Sequence, residues 1–497
     1  MKKALLIYPT MIMEVPLTLA MLAGVLKEEG YETKALVNTF KKPLDIDDFV
    51  RGAESYNPDF IGISIITFRV LFVYKLIRAL KEKGFTIIVG GTHPTDCPEE
   101  AIKNGADVVV QGEGEDVLRE WLKDTSKRGI LARKPPVDLA KLPKPDLSIF
   151  DLNAFKGEDD FIKGLHRIYT SRGCPGRCTF CDWQVFAQNF RYYPIATVIE
   201  QVKERIEKYG IKSFTIADDC FTTNKDYVYE FCREIGKLGV AWRANSRANL
   251  VDRTLLEAMR KSGCRQVSFG LESGDEETLI KIKKGVSLRH NIQAPKLAHE
   301  AGLEVYACLM TGFPWETTKS VKNQIKFIRE IKDAVSLFQV SGSLMPFPGS
   351  AVYKEFAKQY GFENYWLSPK YQEVGIQVYQ NRENPLSAST FYQRYLFDDT
   401  YIQEDYFFKY AKDYKNAVKE MVLEIGRHNM LFMFKGQLIK QKMCFMLARL
   451  SMGLYGLFPN FEKKVGGVVF EIFNKKGERS GIEKLRDKRR GYSKTRL

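Results

Sequence analysis

HRIYTSRGCPGRCTFCDW, residues 166–183, runs a short apolar strand straight into a loop that carries Cys174, Cys178 and Cys181. Three thiols this close can face one inorganic object. A tetrahedral zinc site takes four protein ligands, usually from paired C-x-x-C knuckles, and no second pair exists in the chain. A [4Fe-4S] cluster held by three cysteines leaves one iron open to an exchangeable ligand, so the absent fourth cysteine is itself informative. Gly173, Pro175 and Gly176 suit a tight loop, Arg177 adds positive charge, and Phe180 can keep water from the cluster.

The same strand opens a rhythm. HRIYTS, SFTIAD, AWRANS, QVSFGLES, EVYACLM and LFQVSGS alternate with helical stretches through residues 161–350, which predicts a partial (β/α)6 TIM-like barrel. Its site would lie at the C-terminal strand ends, where the cysteine loop begins. Residues 1–125 alternate ALLIYP, TKALV, FIGISII, TIIVGG and DVVVQG with amphipathic helices, the pattern of an α/β, doubly wound, Rossmann-like domain. Residues 126–160, rich in Pro, read as a linker, and residues 351–497 as a separate, mainly helical domain with a basic tail from 475. That tail holds ten Lys and Arg against three acids.

The chain has 497 residues, 44% of them hydrophobic, and a formal charge of +15. MKKALLIYPT lacks a small-residue cleavage site and reads as a buried first strand rather than a signal peptide. Nowhere do 18 apolar residues run together, which argues against a spanning helix. Nine irregularly spaced cysteines argue against a disulfide framework and for a reducing, cytoplasmic setting. Basic charge is not interleaved with a reading module, so nucleic acid is not an expected partner. Cys220, Cys232, Cys264 and Cys308 read as core residues, with Cys220 or Cys308 kept as a hydrogen-atom donor.

The C-x-x-x-C-x-x-C loop, with its aromatic at Phe180, resembles that of the radical S-adenosylmethionine (SAM) enzymes. The order of SRANLVD, VSFGLESGD and MTGFPWET is similar to the subgroup with an N-terminal cobalamin domain, the class B methyltransferase-like enzymes. The resemblance implies a [4Fe-4S] cluster on Cys174, Cys178 and Cys181 whose open iron chelates SAM. It implies SAM contacts at Asp218, Asp219, Arg247, Glu272, Gly312 and Pro314, with Glu316 holding the last turn. FTIADDCFT departs from the usual Gly-Gly-Glu form at the second strand end. The strand ends in PDFIGISIITF, IIVGGTHPT and VVVQGEGE resemble a cobalamin groove lined by Ser64, Thr67, Gly90, Gly91, Thr92, His93 and Gly112. No D-x-H-x-x-G occurs, and His93 lacks the preceding Asp, so cobalamin is expected without an axial histidine from the protein.

Only Cys97 precedes the radical loop and only Cys444 follows the barrel, a pattern unlike methylthiotransferases and unlike maturases with auxiliary clusters. The expected activity is methylation of an unactivated carbon through a 5′-deoxyadenosyl radical and methylcobalamin, with a flavodoxin or ferredoxin as electron donor. The alternative is an oxidative cyclisation or ring rearrangement of a tetrapyrrole or lipid without methyl transfer. A non-catalytic cobalamin or iron-sulfur sensor is a third reading. No residue is assigned a catalytic role. Tyr401, Tyr406, Phe407, Phe408 and Tyr410 suggest an apolar cap for a large hydrophobic substrate, and Lys435 to Arg449 a basic helix able to touch a membrane surface.

Overall fold

The computed structural model describes residues 2–12, 14–39, 42–155, 167–182, 184–186, 189–368, 408 and 410–433. The first sheet contains β1 (Lys2–Ile12), β2 (Tyr31–Thr39), β3 (Phe60–Ser64), β4 (Ile87–Gly90), β5 (Val108–Val110) and β6 (Gly129–Leu131). Every pairing is parallel, in the order β2-β1-β3-β4-β5-β6. Short apolar runs such as IIVG and VVV are buried because helices cover both faces. The order reverses between β1 and β3, so the crevice for a ligand opens at their C-terminal ends, beside Ser64. β6 falls inside the stretch expected to be a linker; three residues are too few to stand out from their Pro-rich surroundings.

The second sheet is made of β7 (Arg167–Ile168), β10 (Ser213–Ile216), β11 (Ala241–Ser246), β12 (Cys264–Glu272), β13 (Glu304–Thr311) and β14 (Leu337–Ser343). These six strands are parallel and lie in chain order, with β7 and β14 at opposite edges, as in an open, partial barrel. The short antiparallel pair β8 (Ser171–Arg172) and β9 (Arg191–Tyr192) brackets the cysteine loop. Along β13, Val305, Ala307 and Leu309 are fully buried under the helices, while Tyr306, Cys308 and Met310 alternate with them and stay partly open.

The segment beyond the barrel is less separate than expected. Helix Lys412–Met433 buries Tyr414, Val418, Met421 and Ile425 in the same core as the barrel strands. Its Asn429 side chain accepts from Phe338 N at 2.9 Å and donates to Phe338 O at 2.8 Å, pairing the open edge of β14 as a strand would. Helix Ala351–Tyr360 and the turn after it instead pack Phe362, Tyr365 and Trp366 against the first sheet's core. Phe408 is buried among Phe356, Tyr360 and Phe362, and Tyr410 stacks on Tyr414. These two aromatics thus serve packing, not an apolar substrate wall. Tyr401, Tyr406, Phe407, the Lys435 to Arg449 stretch and the basic tail lie outside the described residues. No helix among the described residues is long and apolar enough to cross a membrane.

Candidate functional site

A cavity, partly open to solvent, lies where the first sheet meets the cysteine loop. Ser64, Gly90, Gly91 and Gly112 form its sheet-end rim; Leu19, Met21, Leu22, Phe60, Ile88 and Leu118 form an apolar wall; Tyr169, Arg172, Val185 and Phe186 close it from the barrel side. Gly91 sits at φ +110°, and a Cβ there would lie 2.7 Å from Ile65 O, so the rim needs glycine at that position. A largely apolar lining with a glycine-rich rim suits a nucleotide-bearing cofactor such as cobalamin.

Thr67, Thr92 and His93 do not line it. His93 is fully buried, with Nδ1 3.3 Å from Thr67 Oγ1 and Nε2 3.1 Å from Glu100 Oε1. Tyr74 and Trp366 also donate to Glu100, at 2.7 and 3.0 Å. Burial alone would raise Glu100, but hydrogen bonds from His93, Trp366 and Tyr74 outweigh it and hold the carboxyl below its ordinary value. Both imidazole nitrogens are therefore engaged inside the domain. His93, Cys97 and Glu100 are the one group of three ligand atoms within 4.8 Å of one another among the described residues, and hydrogen bonding already employs the imidazole and the carboxylate.

The loop thiols are spread wider than that. Three thiols on one loop fall one short of the four ligands a structural zinc takes, whereas a [4Fe-4S] cluster held by three keeps one iron open. Cys178 is buried, Cys174 half-buried and Cys181 exposed. Burial pushes the Cys178 thiol up despite the nearby charges of Lys284 and Arg247. Thiols in this state ionise when a cation joins them, which is the chemistry a metal cluster brings.

Arg247 stands over the loop: its guanidinium donates to the Lys284 carbonyl, and a Cβ on Gly176 would collide with it. Glu272 pairs with Lys284 at 2.7 Å, the two side chains 10% and 7% exposed. Glu272 itself has φ +60°, a costly backbone state for a residue with a Cβ and one that clusters at functional sites. Burial works against the Lys284 charge, but Glu272 and Cys178 outweigh it and raise its pKa. Lys284 escapes a sequence reading because KIKK looks like a solvated charge run.

Asp218 has a structural occupation. It accepts from Thr170 N at 2.7 Å, from the Thr170 hydroxyl and from Ser171 Oγ at 2.7 Å, pinning the stem of the cysteine loop, and burial raises it to about 6. Asp219, next to it, is exposed at the strand end. Gly312 N and Phe313 N donate to Glu316 Oε2 at 2.7 and 3.3 Å, so Glu316 does hold the turn that includes Pro314. Tyr414 from the distant helix adds a third donor at 2.8 Å, a contact no local motif announces.

Burial raises the Glu316 carboxyl to about 7, so its contribution to stability is complete below its ordinary value near 4.5 and is lost as pH climbs through 7. Against Glu316→Gln, which cannot titrate, the native chain should lose on the order of 2 kcal/mol of relative stability between pH 4.5 and 8. Chemical denaturation of both proteins across that range measures it; a pH-independent difference contradicts the assignment.

Residues 13–122 match the model of the B12 binding domain, and residues 168–328 that of the radical SAM superfamily. An uncharacterized methyltransferase of Pyrococcus horikoshii is 30% identical over 68% of this chain and 78% of its own. The chain belongs to the cobalamin-binding radical SAM family. Another family member, the anaerobic magnesium-protoporphyrin IX monomethyl ester cyclase of Rubrivivax gelatinosus, is 25% identical over 70% of this chain and 68% of its own. The radical SAM methyltransferase TsrM from Kitasatospora setae shares the fold, with a TM-score of 0.61 and 20% identity over 72% of this chain and 76% of that one.

Proposed function

We propose that this chain is a cobalamin-dependent radical SAM methyltransferase of class B, acting on an unactivated carbon. The observation that supports the reading best is the shared cavity, whose walls come from the ends of a B12-type sheet and from the loop that carries the three cysteines. In this reading Cys174, Cys178 and Cys181 would hold a [4Fe-4S] cluster, and Ser64, Gly90, Gly91 and Gly112 would hold cobalamin. Bound together with SAM, these groups would supply a 5′-deoxyadenosyl radical and a transferable methyl group.

The chain's own residues then bind and orient. Arg247 and Lys284 bring positive charge to the loop, where Arg247 would hold the carboxylate of SAM, while the Gly312–Phe313 backbone, fixed by Glu316, would take its adenine. A flavodoxin or ferredoxin would deliver the electron. The inward positions of the barrel carry Thr215, Arg243, Asn245, Ser268, Tyr306 and Gln339, none of them buried. That lining favours a small-molecule substrate with polar groups over a purely apolar one.

The test is anaerobic reconstitution with iron, sulfide and cobalamin, then incubation of cell extracts with SAM carrying a deuterated methyl group. Appearance of a new metabolite three deuterons heavier identifies reaction and acceptor together. A transformed metabolite without label would favour the cyclase-type reaction named for the Rubrivivax relative.

A further inference from the structure

Four charged side chains fasten the first sheet to the loop that carries the cysteines. Arg172, on β8 and two residues ahead of Cys174, bonds Glu113 Oε1 at 3.0 Å and Glu115 Oε1 at 2.5 Å. Arg191, on β9 at the loop's other end, bonds the two oxygens of Glu113 at 2.7 and 3.0 Å. Glu113 also accepts from Val137 N at 3.1 Å, and Arg191 donates to Val137 O at 2.6 Å. The Arg172, Glu113 and Glu115 side chains are 5–8% exposed. Two cations and two anions balance, so each buried charge is compensated.

Both ends of the loop are thus anchored on one carboxylate of the cobalamin domain, while between them Thr179 pairs with the backbone of Ile282 and Val352, and Asp182 lies against Asp96. Val185 and Phe186 turn apolar surface into the cavity, next to Arg172, Glu113 and Glu115, which line it too. The loop closes tightly on itself: a Cβ on Gly173 would stand 2.6 Å from Asn189 O and 3.6 Å from the Phe186 Cβ. Phe186 O accepts from Asn189 N at 2.9 Å, so Phe186 and Gly173 meet on the same residue.

We propose that Glu113, Glu115, Arg172 and Arg191 are positioning residues through which the cofactor in the cavity orders the cysteine loop, an inference that rests on the cavity holding cobalamin. Filling the cavity covers Val185 and Phe186, and the ion network transmits the fit to both loop stems. Cobalamin binding then precedes and promotes a loop geometry competent to hold SAM.

Hydrogen exchange read by mass spectrometry on the full, cluster-reconstituted chain, with and without hydroxocobalamin, tests this. Amides of residues 171–192 should exchange at least about tenfold more slowly with cobalamin bound. Arg191→Gln should retain cobalamin, seen as visible absorbance that survives desalting, yet lose most of that protection, and Arg191→Lys should keep part of it. Retained cobalamin with unchanged exchange in the native chain would overturn the coupling alone, as would full protection in Arg191→Gln. A native chain that retains no cobalamin would overturn the cavity assignment and the coupling together. If Arg191→Gln does not fold, the native comparison still decides.

Discussion

Cys178→Ala is expected to yield no detectable 5′-deoxyadenosine from SAM after reconstitution, a loss well beyond the roughly 10–100-fold typical of changes outside a metal's ligand shell. Cys178 is the central and most buried of the three loop cysteines, wedged against Lys284 and Arg247. Alanine there removes a proposed ligand without replacement, because the loop holds no fourth cysteine. Iron and sulfide content, measured beside 5′-deoxyadenosine by chromatography, separates loss of the cluster from loss of turnover. Wild-type iron together with wild-type SAM cleavage in Cys178→Ala would defeat the cluster assignment.

Lys284→Met should be the most damaging single change to the stability of the barrel. It strands the Glu272 carboxylate in a site where both side chains are about nine-tenths buried, and breaking such a pair from one side costs about 3–5 kcal/mol. Replacing both partners, Glu272→Met with Lys284→Met, leaves no uncompensated charge and should recover most of that loss. Urea midpoints for the two single variants and the double variant give the coupling directly. Additive losses across the cycle would mean that the two side chains do not act as a pair.

The cysteine loop was legible because its pattern is local: three thiols lie within eight positions, with Gly173 and Gly176 shaping the turn. The strand ends at Ser64, Gly90, Gly91 and Gly112 were legible for the same reason, since each closes a short apolar run. Lys284, Arg172, Glu113 and Glu115 were not legible, because a single charge in a sequence reads as solvated until the fold brings its partner. Arg172 and Glu113 are 59 positions apart and meet only through the docking of two domains. Thr67 and His93 show the converse: they sit in a cofactor-like motif, but the fold turns them inward, Thr67 onto His93 and His93 onto Glu100. Asp218 likewise holds the loop's stem instead of facing the site. Helix Lys412–Met433 could be read as a helix from its apolar spacing, whereas its role in sealing β14 depends on Asn429, which no periodicity marks.

A methyltransferase of the proposed kind consumes SAM in two ways, once for its methyl group and once for a radical. The ratio of S-adenosylhomocysteine to 5′-deoxyadenosine formed by the anaerobically reconstituted, cobalamin-loaded protein turning over its acceptor reports on both. Equal amounts of the two, both rising with methylated product, are expected. Product accompanied by 5′-deoxyadenosine alone, with no S-adenosylhomocysteine, would contradict the methyltransferase reading.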